Sequence, residues 1–539
     1  MAKRWAAFLL VAVFWTALIG AQELEEIQSF CSVGALREGM TQEQFDARVA
    51  GLRERGNRLA KVERAARAQR GEAPLPDHVV RIAYLIPSNR QPQDLERIRY
   101  GVKFIQSWYA DQMDRHGFGP KTFVLEMEED GVTPKVYVVF GNDTDAQTPT
   151  DSFEVSTYLQ ELGLPIFADE QNWLEIVECH IINESSVALN FRYNAIQGGN
   201  GSQGGAATIT ADLVVFMRPE FLTDNTPYDN LLFPELGPYP MKQGLTYASG
   251  LGDTLSHLVS SALSITGHEL GHAFGFYHCH INTEPWRGDI MHSSIGAVGI
   301  RGWARPDLYP MNYSILWHGH ALALNVNRFF NVGQIWSDNK PPTGASAGII
   351  AGEVPPGNVG WPFQASDSEG LSCALLVSSF DSSSLSKAYL LLENNNITTQ
   401  FLTSNYHGRG IIIYDISGNQ LKLQTGNGIT GEGNHLAPEP TILASPITEN
   451  IDQPFWLDAS LSQSSIGLAG TTVEWDTNGD GVFDTLPTTE KTFMISYNDS
   501  GFYLIQARLT DSDGFSALSS PIAIHVVERP NVPDGWLAR

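Results

Sequence analysis

Between Gly267 and Met291 the chain reads GHELGHAFGFYHCHINTEPWRGDIM. His268 and His272 are four residues apart, so on a helix both imidazoles leave one face and can direct a nitrogen at a single metal ion. Glu269 lies beside them. A carboxylate one residue after the first ligand stands next to the metal without being needed as a ligand, which is the place for a general base acting on water. Gly275 permits the left-handed backbone that ends a helix, so the chain can turn sharply and return His278 as a third ligand. Three protein ligands leave one coordination position open, the arrangement of a catalytic zinc site rather than a closed structural one. The chemistry expected of this stretch is hydrolysis assisted by one zinc ion.

HELGHAFGFYH matches the metzincin pattern H-E-x-x-H-x-x-G-x-x-H at every fixed position, and Asp289-Ile290-Met291 resembles the methionine turn that follows it. The resemblance implies an α+β zincin-like catalytic domain, with His268, His272 and His278 as zinc ligands and Glu269 as general base. It further implies Met291 as an apolar floor beneath the metal and a protein or peptide substrate. The chain departs from the astacin and serralysin branches at Ser293, where they carry a tyrosine that can reach the zinc. His257, His280, His292, His318 and His320 are expected in the core or at the surface, because the pattern already supplies its ligands. A competing expectation is an exported adhesion or polysaccharide-binding protein built on a degenerate zinc scaffold. Glu269 discriminates, since a scaffold under no demand for chemistry has no reason to keep a carboxylate there.

The elements that must position these residues occupy a chain of 539 residues, long enough for several domains. Met1 to Ala21 has Lys3 and Arg4, an apolar run and a small residue at its end, which reads as a cleavable secretory signal. No other stretch is apolar for long enough to span a bilayer, so the expectation is a soluble exported protein. The net charge of −26 disfavours nucleic acid and anionic membrane as partners. Cys31, Cys179, Cys279 and Cys373 could form two disulfides in any of three pairings, and Cys279, next to the third ligand, is expected to stabilise its turn through a bridge. Cys31 could also occupy the open zinc position as a cysteine switch, although SFCSVG lacks the matrix-metalloprotease switch motif.

Residues 22–78 form a helical segment. Thr41 and Gln44 make a capping-box start, Phe45, Val49, Leu52, Leu59 and Val62 recur at helical spacing, and the helix ends near Gly71. Being Arg-rich ahead of an acidic remainder, it reads equally as a propeptide covering the cleft or as a helix packed on the catalytic domain. Residues 79–338 should hold the catalytic domain. Strands are expected over Val79 to Ile86, Thr122 to Met127, Val136 to Phe140 and Leu213 to Met217, with a helix opened by Pro92 that carries Leu95, Ile98, Val102, Ile105 and Tyr109. Gly198 to Gly205 reads as a loop. The zinc helix should run from about Asp253 to Phe274, burying Leu255, Leu258, Val259 and Leu263 on one side, and a later helix is suggested by Leu316, Leu322 and Val326.

Pro341, Pro342 and Gly344 read as a linker to a β-rich domain over 339–436. Within it AYLLLEN (Ala388 to Asn394) and GIIIY (Gly410 to Tyr414) look like the β-rich segment of immune-inhibitor-A type secreted metallopeptidases. Residues 437–528 contain WLDAS, VEWDTNGDGVFDT, GFYLIQARLTDSDG and IAIHVV in order, similar to a polycystic-kidney-disease-type (PKD) immunoglobulin-like β-sandwich, and 529–539 form a tail. Alternating strands between Gly and Asp turns support a sandwich by themselves. Such a module could tether the chain to an extracellular polymer. Asp476, Asn478, Asp480 and Asp484 are spaced like the start of a Ca2+ loop, but Pro487 stands where the bidentate carboxylate would be, which favours an Asx-rich turn without metal.

Overall fold

A computed structural model describes the chain from residue 42 to residue 527 with interruptions, the longest at 179–192, 197–203, 242–253, 292–299, 347–358, 378–384, 404–409, 431–439 and 463–467. The expected signal segment, Thr41, Cys31 and the tail lie outside the described residues, as do Cys179, His280, His292, Ser293 and Asp480. No helix among the described residues is long and apolar enough to cross a membrane.

The first part of the chain is built on a six-stranded sheet. In chain order its elements are helix α1 (Gln42–Arg70), strand β1 (Val79–Ile86), helix α2 (Leu95–Arg115), β2 (Val124–Leu125), β3 (Val136–Phe140), helix α3 (Ser152–Glu161), β4 (Gln171–Val177), β5 (Tyr193–Ile196) and β6 (Ala206–Thr210). The strand order is β2-β1-β4-β6-β5, with β3 also on β1. All pairings are parallel except β5 on β6. Every residue of β1 and β4 is buried, as expected of parallel strands covered on both faces.

On one face Val80, Ile82, Tyr84 and Ile86 share a core with α2 and with the helix that carries His268 and His272. On the other, Ala83, Leu85 and Trp173 pack with Leu52 of α1 and Val155 and Leu159 of α3. The N-terminal helix therefore lies on the sheet face opposite the candidate site. Its buried stripe is Leu52, Gly56 and Ala60, whereas Val62, expected on that stripe, is 68% exposed. The reason is close approach: a Cβ at Gly56 would stand 2.2 Å from the Ile166 carbonyl oxygen. Arg81, fully buried on this face, fastens the helix by donating to Glu63 (2.6 Å), Glu126 (2.6 Å) and Gln171 (3.0 Å) while lying over Trp173.

Several sequence expectations are corrected here. Leu213 to Met217 is not a strand: Ala211–Phe216 is a short buried helix, α4, directly after β6. A brief apolar run bounded by a proline has no period that separates strand from buried helix. The strand expected over Thr122 to Met127 pairs with β1 only at Val124–Leu125, Met127 forming an isolated bridge with Pro134, and α2 is capped by Asp94, whose side chain accepts the Glu96 N–H at 3.0 Å. The linker at Pro341, Pro342 and Gly344 gives way to a strand at Thr343–Ala345, with Gly344 so near its neighbour that a Cβ would meet the Gln364 carbonyl at 2.5 Å. In the Gly-rich stretch only Gly204 and Gly205 are described, both buried.

Downstream, the strands Leu371–Val377, Leu385–Leu391, Gly410–Asp415 and Gln420–Gln424 form one sheet, and the strands Thr343–Ala345, Val359–Ser366, Asn396–Thr403 and Ile429–Thr430 form another. The C-terminal part has its own two sheets and its own core, including Phe455, Leu457, Trp475, Ile505 and Ile524. The molecule is thus an α/β part followed by several all-β sheets.

Candidate metal centre

Helix α5 (Leu255–Ala273) carries the first two histidines and Glu269. The sequence suggested one buried side, but every residue of the helix except His257 is buried. On the extra faces Ser261 donates to the His257 carbonyl and Thr266 to the Ala262 carbonyl, each at 2.8 Å, while Ser256 and Ser260 accept from Arg301. The helix stops in a Schellman arrangement. Gly275, at φ 103°, donates to the His272 carbonyl (2.9 Å), and Phe276 donates to the Gly271 carbonyl (3.1 Å). This turn returns the chain into the two-residue strand β7 (His278–Cys279).

There the three imidazoles meet. His272 Nε2 is 3.1 Å from His268 Nε2 and 3.3 Å from His278 Nε2, and the ligand atoms of all three residues lie within 4.8 Å of one another. His268 Nδ1 is 2.6 Å from the Ile290 carbonyl oxygen and His272 Nδ1 is 2.6 Å from the Phe276 carbonyl oxygen. A carbonyl can only accept, so both Nδ1 atoms carry the proton and both Nε2 atoms present lone pairs. Burial holds the His268 pKa down at about 4, and burial together with the neighbouring His268 and His278 holds His272 well below its ordinary value, which keeps both rings neutral. Two lone pairs facing each other across 3.1 Å have no hydrogen to share, and a cation relieves that repulsion. Imidazole donors suit zinc among the common ions. The donor set therefore fits a metal ion, and it is the only group of three or more such side chains among the described residues.

Glu269 is fully buried next to this cluster. Met291, also fully buried, is in a turn after strand β9 (Arg287–Asp289), a neighbour of β8 (Asn282–Glu284) and of β10 (Tyr313–Ile315). A Cβ at Gly271 would stand 2.3 Å from Met291 Sδ, so the methionine packs directly against α5. Asp289 is fully buried, accepts the Met291 N–H at 2.6 Å and also accepts the Trp317 N–H. Between β9 and the downstream sheets lie the short helix α6 (Ile300–Ala304) and helix α7 (His318–Val326).

The remaining expected histidines are placed as follows. His257 bonds Thr254 (2.8 Å) and Arg301 (2.6 Å). His320 is fully buried and stacks on Phe276, and His318 contacts His116 at 3.0 Å between their Nδ1 atoms. Cys279 and Cys373 are buried thiols, which corrects the bridge expected at Cys279. At the suggested calcium loop Asp476 accepts the Gly479 N–H (2.7 Å) and Asp484 accepts the Thr477 N–H (2.7 Å), so these carboxylates build a turn.

Sequence reasoning missed the supports. Tyr109 donates to the Gly267 carbonyl at 2.9 Å, and β7 pairs in parallel with Leu385–Leu391, Leu385 opposite His278. Apolar periodicity put Tyr109 on the buried face of its helix but carries no sign of where a hydroxyl goes. A pairing across more than a hundred residues has no local signal.

No family model matches the chain, and no curated protein matches it. Among solved structures it is similar to wild-type OgpA from Akkermansia muciniphila, at 14% identity and a TM-score of 0.40 over 64% of this chain and 91% of that one. The PKD domain of an M14-like peptidase from Thermoplasmatales archaeon SCGC AB-540-F20 is similar at 17% identity and a TM-score of 0.14, covering 18% of this chain and 99% of that one. The FN1–FN3 domains of chicken CNTN1 are similar at 14% identity and a TM-score of 0.14, covering 35% and 67% of the two chains. Scores this low leave the functional reading to the geometry of the site.

Proposed function

We propose that the protein is a secreted zinc-dependent endopeptidase of metzincin type. The observation that carries this reading is the convergence of three buried imidazoles, two of which, His268 and His272, are held in the tautomer that aims a lone pair at the common point, with Glu269 buried beside them. His268, His272 and His278 would hold a zinc ion, which would supply polarisation of the scissile carbonyl and a lowered pKa for the attacking water. Glu269 accepts the proton of that water on its carboxylate and passes it to the leaving amine, so no covalent intermediate with the protein is needed. Its burial keeps bulk water from competing for that proton. The C-terminal sandwich lies outside this chemistry and is assigned the binding of an extracellular polymer.

Glu269→Gln is the test. It should bind one zinc per chain, retain the fold and lose peptide hydrolysis by about a hundred- to ten-thousand-fold. Near-wild-type turnover in a metal-loaded variant would sink the role given to Glu269. Chelation should abolish wild-type activity and zinc should restore it.

A further inference from the structure

We infer that Asp289 is a positioning residue of the metal centre, acting on His268 through one peptide unit. This rests on the metal-binding reading above. The Met291 N–H and the Ile290 C=O belong to the same peptide plane, which is rigid. Asp289 Oδ1 holds the N–H end at 2.6 Å, and His268 Nδ1–H is held by the C=O end at 2.6 Å. The chain of contacts is therefore carboxylate, amide, imidazole. A carboxylate that accepts the amide proton polarises the amide, makes its oxygen a stronger acceptor and so makes Nε2 of His268 a better donor to a cation.

The same carboxylate has a second anchor. Its other oxygen accepts the N–H of Trp317, the residue that caps α7. His320 Nδ1 lies 3.8 Å from Asp289, and the His320 ring stacks at 4.4 Å on Phe276, whose carbonyl orients His272. Asp289 thus stands directly behind the carbonyl that orients His268, and the His320 ring lies between it and the Phe276 side chain.

Two neutral replacements separate charge from shape. Asp289→Asn keeps an oxygen for the Met291 N–H, and Asp289→Ser can close the same turn with a hydroxyl while forcing no donor on Trp317. Co2+ binding to the folded, metal-free proteins is measured by competition with a chromophoric chelator, with the visible spectrum of the bound Co2+ recorded. The expected result is one Co2+ per chain in all three proteins, with affinity weakened about 10- to 100-fold in both variants and a changed spectrum. A lowered melting temperature with unchanged Co2+ affinity and spectrum overturns the inference and leaves Asp289 a structural turn residue. If Asn fails to fold, Ser decides alone. A wild-type chain that takes up no Co2+ overturns the metal reading itself, and this inference with it.

Discussion

At the scale of single residues, protonation states govern both the site and its surroundings. His268 and His272 stay neutral because they are buried, and the pair of half-buried His116 and buried His318, at the end of α2 and the start of α7, follows the same rule. His116 Nε2 is 2.7 Å from the Leu316 carbonyl, so that nitrogen carries the proton and His318 donates to His116 Nδ1 at 3.0 Å. Burial lowers the pKa of His116 to about 4 and of His318 to about 3. In the unfolded chain both titrate near the ordinary histidine value, so between that value and about 4 the unfolded state binds more protons and stability falls as pH falls. Metal-free protein should therefore melt at progressively lower temperature from about pH 6.5 down to about pH 4. His318→Phe should melt lower than wild type at neutral pH, because His116 loses a partner, yet show a shallower acid dependence. An unchanged slope in calorimetry across that range would remove the pair from the account.

At the scale of elements, what the sequence made legible follows the range of the signal. The motif helix, its glycine stop and the return of His278 are written in consecutive residues, and strands β1 and β3 occupy the spans their apolar runs suggest. Elements defined by distant partners were not legible. The face that α1 buries is set by the loop at Ile166 to Ala168, which approaches Gly56, and by the buried guanidinium of Arg81, and neither leaves a trace in the helix's own periodicity. That placement also bears on the two readings of the N-terminal segment. With the helix packed on the sheet face away from the three histidines, deleting residues 42–70 should cost stability rather than release activity. Arg81→Met isolates the effect. It leaves Glu126 buried with only Arg67 (3.1 Å) and Lys135 (3.3 Å) as cationic partners and should destabilise the fold by about 3 kcal/mol. Denaturant unfolding measures this, and a variant as stable as wild type would show that the clamp contributes nothing.

At the scale of the whole molecule, the two β-rich parts stand in different relations to the site. The sheet of strands Leu371–Val377, Leu385–Leu391, Gly410–Asp415 and Gln420–Gln424 takes β7 as an edge strand, and its Cys373, Leu375, Val377, Ile412 and Tyr414 belong to the same core as α5 and Met291. On the other edge of β7 the Cys279 N–H donates to the Met291 carbonyl at 3.0 Å. His278 is thus carried on a two-residue strand held between the turn at Met291 and a strand more than a hundred residues downstream, too short to keep its place alone. The C-terminal sandwich instead closes its own core and meets the first part through the strand Ile522–Val527 against α2, where His525 lies near Asp111, Asp114 and Arg115. Two truncations should therefore differ in kind. A chain ending at residue 437 should keep one zinc and hydrolyse a short peptide within about threefold of the full chain, with a larger loss only on an insoluble protein substrate. A chain ending at residue 338 exposes the apolar face of α5 and frees β7, and should neither fold nor hold metal. Zinc content and circular dichroism of the two purified products decide it: a folded, metal-loaded 338-residue chain would show that the downstream sheet only leans on the site, and loss of metal in the 437-residue chain would make the sandwich part of it.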